Sequence, residues 1–218
     1  MSEADEEKDL ETLDQATQLL KQTREFRLLI EKLKPLMESI LSSSEKKNML
    51  QNFLGQSRGR FEKSAQRLRL FKEDSKADYG SQLNTLRKAF LFLALFETTV
   101  TNIVNCMVFM LMLNGHDIFM PYHRKYAESF DDLDKLFLAE KLDFLNFHGF
   151  SFFTEHINRS LRNKIAHMDF DIEGKGVIIW EGQKYNLQTE LTKLEAILLL
   201  ATKALSNAGF VYPINEDS

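Results

Sequence analysis

Apolar residues recur at steps of three and four over most of the chain, which is the spacing of an amphipathic α-helix. The first such run spans residues 9–41. Pro35 is expected to kink or divide this helix, because proline removes a backbone donor and clashes with the preceding turn. The serines at 42–44 predict a break and the cap of a second helical run, 44–76. Residues 9–78 therefore predict a helical hairpin that extends the main domain.

The second run is distinctly basic. Its cationic side chains are Lys46, Lys47, Arg58, Arg60, Lys63, Arg67, Arg69 and Lys72. They form either a solvated helix face, as charge runs usually do, or a track for an RNA backbone.

Residues 81–113 are the most apolar stretch, long enough in principle to cross a membrane. Glu97, Asn102 and Asn105 lie near its middle, however, and polar groups there are costly in lipid. The amphipathic helices on either side also need a central partner. We therefore expect a buried bundle helix and no membrane partner.

Shorter elements follow this helix. The pair Asn114-Gly115 is expected to end it, and residues 117–126 read as a loop around Pro121. A short helix is expected from Asp131 to about Phe147, because acidic residues favour a helix N-terminus.

A longer helix is expected over residues 151–167, capped by Ser151. Its apolar stripe at helical spacing consists of Phe153, Ile157, Leu161, Ile165 and Met168. Beyond it the hydrophobic period falls towards two, so residues 170–186 predict two or three short strands. A last amphipathic helix is expected over 188–208.

These patterns predict a mainly α fold: a helical bundle with a small β-hairpin before the last helix and an N-terminal helical hairpin extension. The expected organisation is a disordered acidic N-terminus at 1–8, the extension at 9–78, a helical domain at 79–212 and a polar tail at 213–218. Only 9 Gly and 3 Pro occur in 218 residues, which favours long helices.

The composition limits which binding partners and cofactors are expected for this chain. The net charge is -4 and the pI about 5.8, whereas a general polyanion binder is normally basic, so nucleic acid would need a local site. The single Cys106 permits no disulfide within one chain, and the N-terminus lacks a signal-peptide pattern, which favours a cytoplasmic protein. The histidines show no paired metal spacing and no Gly-rich phosphate loop occurs, so neither a metal nor a cofactor is expected.

One polar segment, LRNKIAH at residues 161–167, lies on the predicted 151–167 helix. Asn163 and His167 are four residues apart and share a helix face, and Arg162 can reach round on its long stem. Histidine can serve as base or acid near neutral pH, and arginine presents a charged fork to a phosphorane-like transition state. Asn163 can orient the imidazole or bond a phosphate oxygen, so the segment can support RNA cleavage without a metal.

LRNKIAH, followed by strands and a closing helix, resembles the HEPN superfamily, whose signature is Arg, a polar residue, a few further residues and His. RKAFLFLALFETTV resembles the earlier core helix of these families, which often carries a Glu, here Glu97. The resemblance covers about residues 80–208. It implies an endoribonuclease, a toxin or defence effector, that completes its site as a C2 homodimer. RNA is then the substrate, and Arg162, Asn163 and His167 are the catalytic residues.

The resemblance also implies products ending in a 2′,3′-cyclic phosphate and a 5′-hydroxyl, and an antitoxin or regulatory protein as a candidate partner. Glu97 then either supports the active-site Arg or His by a hydrogen bond or serves packing only, since a carboxylate in a buried helix needs a partner. Arg159, one turn before Arg162, is a candidate substrate contact. A subset of HEPN toxins, paired with nucleotidyltransferase antitoxins, has Tyr where this chain has Asp169, so adenylylation there is not expected.

Each motif residue also has a structural interpretation. Arg162 can pair with a carboxylate at a dimer interface, His167 can cap a helix C-terminus, and Asn163 can be an ordinary surface residue. The alternative function is a non-catalytic HEPN-like scaffold or interaction module that binds a protein partner or a nucleotide. The acidic pI and the N-terminal hairpin favour it.

Overall fold

The computed structural model describes residues 23–55, 62, 66, 81–174 and 176–209. They form a mainly α fold, as predicted, and also contain two small antiparallel sheets. The helices are α1 (Arg24–Leu41), α2 (44–55), α3 (Ser81–Leu95), a π-helical turn (Phe96–Val100), α4 (Thr101–Leu113), α5 (Phe130–Lys135), α6 (Leu138–Phe147), α7 (Ser151–Thr154), α8 (Arg159–Ala166) and α9 (Leu187–Asn207). The strands are β1 (Phe119–Met120), β2 (Lys125–Tyr126), β3 (Asp171–Gly174), β4 (Val177–Trp180) and β5 (Gln183–Asn186).

Several sequence-based predictions lie outside these residues. They are the disordered N-terminus at 1–8, most of the predicted second helix beyond residue 55, and the polar tail at 213–218.

The helix predicted at 81–113 lies at the centre of the molecule. Every residue from Ile103 to Leu111 is buried, because α1, α6 and α9 all pack against α4. Each fully buried Leu, Met or Phe contributes on the order of 1.5–3 kcal/mol to folding. The unbroken apolar run therefore reflects a helix that has no solvent face over this stretch.

By length and composition alone, the segment Gln82–Leu113 is the one helix of the described residues that could cross a membrane. In the structure, 61% of its most apolar window is buried against the rest of the protein.

Helix α1 buries a stripe of Phe26, Leu29, Leu33, Met37 and Ile40 in the same core. Helix α1 continues through Pro35, so the alternative that this residue divides the helix is wrong. Pro35 is exposed, so water can bond the carbonyl that the ring leaves without a partner. The break predicted at 42–44 is confirmed, with Ser43 Oγ accepting from Lys46 N at 3.4 Å. Because α1 packs against α9 and α4, it belongs to the core of the predicted 79–212 domain.

Strands β3, β4 and β5 form an antiparallel meander immediately before α9. Ile178 at its centre is fully buried. The backbone N–H of Gly176 donates to Thr85 Oγ1 of α3 at 2.9 Å, and its carbonyl accepts from Leu187 N at 2.8 Å. These two bonds fasten the sheet to the central helix and to the start of α9.

Two predicted elements between the central helix and α7 differ from the structure. Residues 117–126 contain the hairpin β1–β2 and are not a plain loop. The helix predicted from 131 to 147 is two helices, because the backbone becomes extended at Leu136. Glu140 Oε2 accepts from Phe137 N at 2.7 Å and so begins α6 at that point.

Candidate functional site

Helix α8 carries the polar segment and begins later than predicted. The helix expected over 151–167 is interrupted after Thr154, and Ser151 does not cap it. Asn158 is the N-cap of α8, since its Oδ1 accepts from Leu161 N at 3.0 Å. Asparagine is among the best N-cap residues, and this signal in the sequence was missed because the apolar period continues across the break.

One face of α8 is buried through Leu161 and Ile165, as the predicted stripe requires. The opposite face is open, with Ser160, Asn163 and His167 exposed. The fold therefore presents the polar half of the motif to solvent.

Met168 ends α8 in an unusual backbone conformation. Its φ is 55°, a left-handed value that bulky residues rarely adopt. Met168 N donates to Ile165 O at 3.1 Å and Asp169 N to Lys164 O at 3.0 Å, the Schellman pattern that usually places glycine at this position. The prediction that Met168 joins the buried stripe is wrong, because this turn directs it outward and leaves it 54% exposed.

The guanidinium of Arg162 is held by two neighbours. Nε donates to Glu97 Oε1 at 2.7 Å, and Nη2 contacts the same oxygen in an ion pair. Nη1 donates to Asn163 Oδ1 at 3.0 Å. The structure thus joins Arg162, Asn163 and Glu97 in one network that ties α8 to the central helix.

Glu97 lies in the π-helical turn between α3 and α4. The expectation that it is a buried carboxylate is wrong, since 48% of its side chain is exposed. Single π turns inside α-helices are rare and occur frequently at functional sites. The widened turn places Glu97 outward while Phe96 and Val100 beside it remain fully buried.

Two threonines satisfy the backbone of the π turn. Thr98 Oγ1 donates to Ala94 O at 2.6 Å, and Thr101 Oγ1 donates to Phe96 O at 3.1 Å. A π turn lacks the normal i to i−4 ladder, so carbonyls there need other donors. The sequence ETTVT therefore supplies the carboxylate of Glu97 and the hydroxyl groups that stabilise the turn in which Glu97 lies.

His167 is the C-cap residue of α8 and is exposed. Its backbone N–H donates to Asn163 O at 3.0 Å. Within the described residues, no side chain hydrogen-bonds its imidazole, so it stands outside the Arg162 network. It remains on the helix face that Asn163 occupies, one turn further on.

Arg159 points away from Arg162. Its Nη1 bonds Asp143 Oδ1 at 3.0 Å and the carbonyl of Ala139 at 3.4 Å, both on α6. It lines a polar cleft of about 620 Å³ together with residues that include Glu190 and Lys193. The structure does not bring Arg159 to the Arg162 network.

Lys164 and Trp180 form a contact that sequence reasoning did not single out. Lys164 Nζ lies 3.5 Å from the centre of the Trp180 ring and 3.5 Å from Asp169 Oδ2. A cation over an indole contributes about 0.5–1 kcal/mol at an exposed site. The contact holds the end of α8, and with it His167, against strand β4.

Within the part of the chain that the structure describes, no three His, Cys, Asp or Glu residues are arranged to hold a metal ion. Comparison of the chain with protein-family models, with curated proteins and with solved structures finds no match.

Proposed function

We propose that this protein is a metal-independent endoribonuclease of HEPN type whose site is completed by a second copy of the chain. One observation carries the proposal: a guanidinium fixed by Glu97 and Asn163 lies on the same short helix as a solvent-exposed histidine. Three motif residues and the carboxylate expected to support them are thus on one surface of α8 and the π turn.

The network orients the guanidinium of Arg162 but does not use all of its N–H donors. A guanidinium has five N–H donors, and the contacts with Glu97 and Asn163 use one donor on each of its three nitrogens. About two donors remain for a phosphate oxygen. Because the fork is already held, little side-chain entropy is lost when substrate binds.

The reaction requires one base and one acid. A neutral imidazole removes the proton of a ribose 2′-hydroxyl, and the 2′-oxygen attacks the adjacent phosphorus. The bond from phosphorus to the 5′-oxygen breaks, and an imidazolium gives that oxygen its proton. The products end in a 2′,3′-cyclic phosphate and a 5′-hydroxyl, while Arg162 stabilises charge on the phosphoryl oxygens.

A single His167 cannot stand on both sides of an in-line displacement, so the second copy supplies the other imidazole. Exposed apolar residues on α8 and α3 support such pairing. Met168 directly follows His167, and Leu83 and Phe90 are exposed two helical turns apart on α3, against which α8 packs. A C2 axis through this surface would bring the same patch together from both protomers.

A cleavage assay with EDTA present tests the proposal. Wild-type protein should cut total cellular RNA, and His167→Ala should lose that activity while remaining dimeric by analytical ultracentrifugation. His156→Ala is the matched control, since His156 is an exposed histidine before α8. Wild-type protein that cuts no RNA, or His167→Ala that cuts normally, would refute the proposal.

A non-catalytic interaction module is the second candidate. It is favoured by the ion pair itself, because Glu97 balances the charge of Arg162 and ties α8 to the π turn as a structural link would. On this account Arg162→Ala changes assembly or stability, and the wild-type protein does not cleave RNA.

A further inference from the structure

Four large aromatic side chains are exposed at one place on the molecule, here called the aromatic patch. They are Phe119, Tyr122, Tyr126 and Phe137, with exposed fractions between 48% and 78%. Exposed apolar clusters on a soluble surface usually mark a binding site. Single exposed rings need no such explanation, but these four lie on one hairpin and the loop beside it.

The rings of the aromatic patch are ordered relative to one another. Phe119 and Tyr126 are cross-strand partners with ring centres 5.3 Å apart in an edge-to-face arrangement. Tyr122 and Phe137 pair in the same way at 5.5 Å. Each pair therefore leaves ring faces free while fixing the ring orientation.

The hairpin below the patch is anchored in the protein. Met120 and Ala127 turn inward and are buried, and Ala127 N donates to Ile118 O at 2.9 Å. The almost buried carboxylate of Asp132 then binds Lys125 Nζ at 3.2 Å and accepts from the backbone of Glu128. The aromatic rings of the patch therefore lie on the outside of a hairpin that is anchored to the rest of the protein.

The end of the hairpin carries positive charge. No acidic residue occurs from Ile118 to Ala127, whereas His123, Arg124 and Lys125 are consecutive. Lys125 is engaged with Asp132, but within the described residues no carboxylate pairs with Arg124. Arg124 also has a φ of 51°, so a charged side chain is held where glycine would fit with less strain.

We propose that the aromatic patch binds unpaired bases of single-stranded RNA, with Arg124 contacting the phosphate backbone. Stacked aromatic faces beside a cation are the common means of binding single strands, because every base has a π face and every linkage a negative charge. The choice of RNA as the occupant rests on the proposed ribonuclease function. Tyr122 and Phe137 are the principal stacking residues.

Binding of a fluorescein-labelled oligouridylate decamer tests this, measured by anisotropy in a His167→Ala background that leaves the probe uncut. Tyr122→Ala combined with Phe137→Ala should weaken binding by about fivefold to a hundredfold, and Tyr122→Phe should retain it. Phe147→Ala is the matched control and should change nothing, since Phe147 is 85% exposed on α6 outside the patch.

Salt dependence separates the charge contribution from stacking. Arg124→Gly suits the left-handed backbone and should flatten the plot of log affinity against log salt by about 0.7. Lys34→Gln, at an exposed position of α1, should leave the slope unchanged.

Patch variants that bind the decamer as tightly as their parent would overturn this proposal and leave the surface to a protein partner. So would a parent that does not bind the decamer, or that binds the corresponding RNA duplex equally well. Patch-dependent binding without any cleavage by wild-type protein would refute the ribonuclease and keep the single-strand site. Cleavage by wild-type protein, together with binding that does not depend on the aromatic patch, would support the ribonuclease and refute the single-strand site.

Discussion

Arg162 is the residue whose surroundings most change its interpretation. From the sequence, Glu97 is only a candidate partner of its guanidinium, but in the structure both Glu97 and Asn163 hold it. The pair with Glu97 is partly exposed, so its contribution to folding should be about 1 kcal/mol or less. Its main consequence is therefore orientation.

Glu97→Gln tests whether the carboxylate positions the arginine. Cleavage should slow by about tenfold or more, because small misplacements of a substrate-binding group are costly. Stability in urea should fall by about 1 kcal/mol or less. A variant that loses much stability and retains the wild-type cleavage rate would show that Glu97 serves packing only.

Met168 stores backbone strain at the end of α8. Met168→Gly should raise the free energy of unfolding of the dissociated monomer by about 0.5–1 kcal/mol, because glycine adopts the left-handed conformation without a Cβ clash. Ala196→Gly, at an exposed interior position of α9, is the contrasting control and should lose about 1 kcal/mol. Destabilisation by Met168→Gly in chemical denaturation would contradict this account.

Among the helices and strands, the spacing of apolar residues predicted the central helix, the β-meander and α9, because each has one strong hydrophobic pattern. It did not predict the π turn at 96–100 or the interruption between Thr154 and Arg159. Both depend on local hydrogen bonds, from Thr98 and Thr101 in one case and from Asn158 in the other. Apolar spacing carries little information about such bonds.

The candidate site was predicted only in part for the same reason. The LRNKIAH segment identified Arg162, Asn163 and His167, but which groups meet depends on tertiary contacts. Sequence placed Arg159 beside Arg162 on one helix, whereas Asp143 draws it towards α6. Glu97 was recognised as a candidate partner, yet its exposure follows from a turn that no spacing rule indicates.

Asp132 links the β1–β2 hairpin to α5. Hydrogen bonds from Lys135, from the Glu128 backbone and from Lys125 lower the pKa of its carboxyl well below the ordinary 3.8. A lowered carboxyl pKa adds stability above the unfolded value, and this contribution is lost as the pH falls. Asp132→Asn should therefore be less stable than wild type near pH 7, and the gap in Tm should narrow below about pH 3.8. A gap that is constant from pH 7 to pH 2 would contradict this assignment.

A buried ionisable side chain joins two helices of the core, α6 and α4. Lys141 Nζ of α6 donates to Asn105 Oδ1 of α4 at 2.8 Å, and Lys141 is only 3% exposed. Burial lowers the pKa of this amine from 10.5 to about 8, against the opposing influence of Asp134 and Glu140. The fold thus carries an ionisable amine at the buried contact between α6 and α4.

The free energy of unfolding should depend on pH because the Lys141 amine is buried. Between pH 8 and 10.5 the unfolded chain holds a proton on Lys141 that the folded chain has released, so this group makes the free energy of unfolding rise with pH across that window. Lys141→Met lacks this contribution. The stability of wild type relative to Lys141→Met should therefore increase from pH 7 to pH 10 in urea titrations. A difference independent of pH would show that the amine is not desolvated.

The same core organises the proposed active surface. The central helix supplies Glu97, α8 supplies Arg162 and His167, and α3 and α8 pack against each other beneath them. With a net charge of -4 the molecule has no general attraction for RNA, so the proposed recognition requires local groups and the proposed pairing of two protomers.

Mixing wild-type protein with His167→Ala tests the shared site most directly. After equal amounts exchange subunits, a site that needs both imidazoles leaves about a quarter of the dimers active, and RNA cleavage should fall to about half of that expected from independent protomers. Cleavage that declines only in proportion to the wild-type fraction would contradict the composite site, and the absence of cleavage by unmixed wild-type protein would contradict the ribonuclease itself.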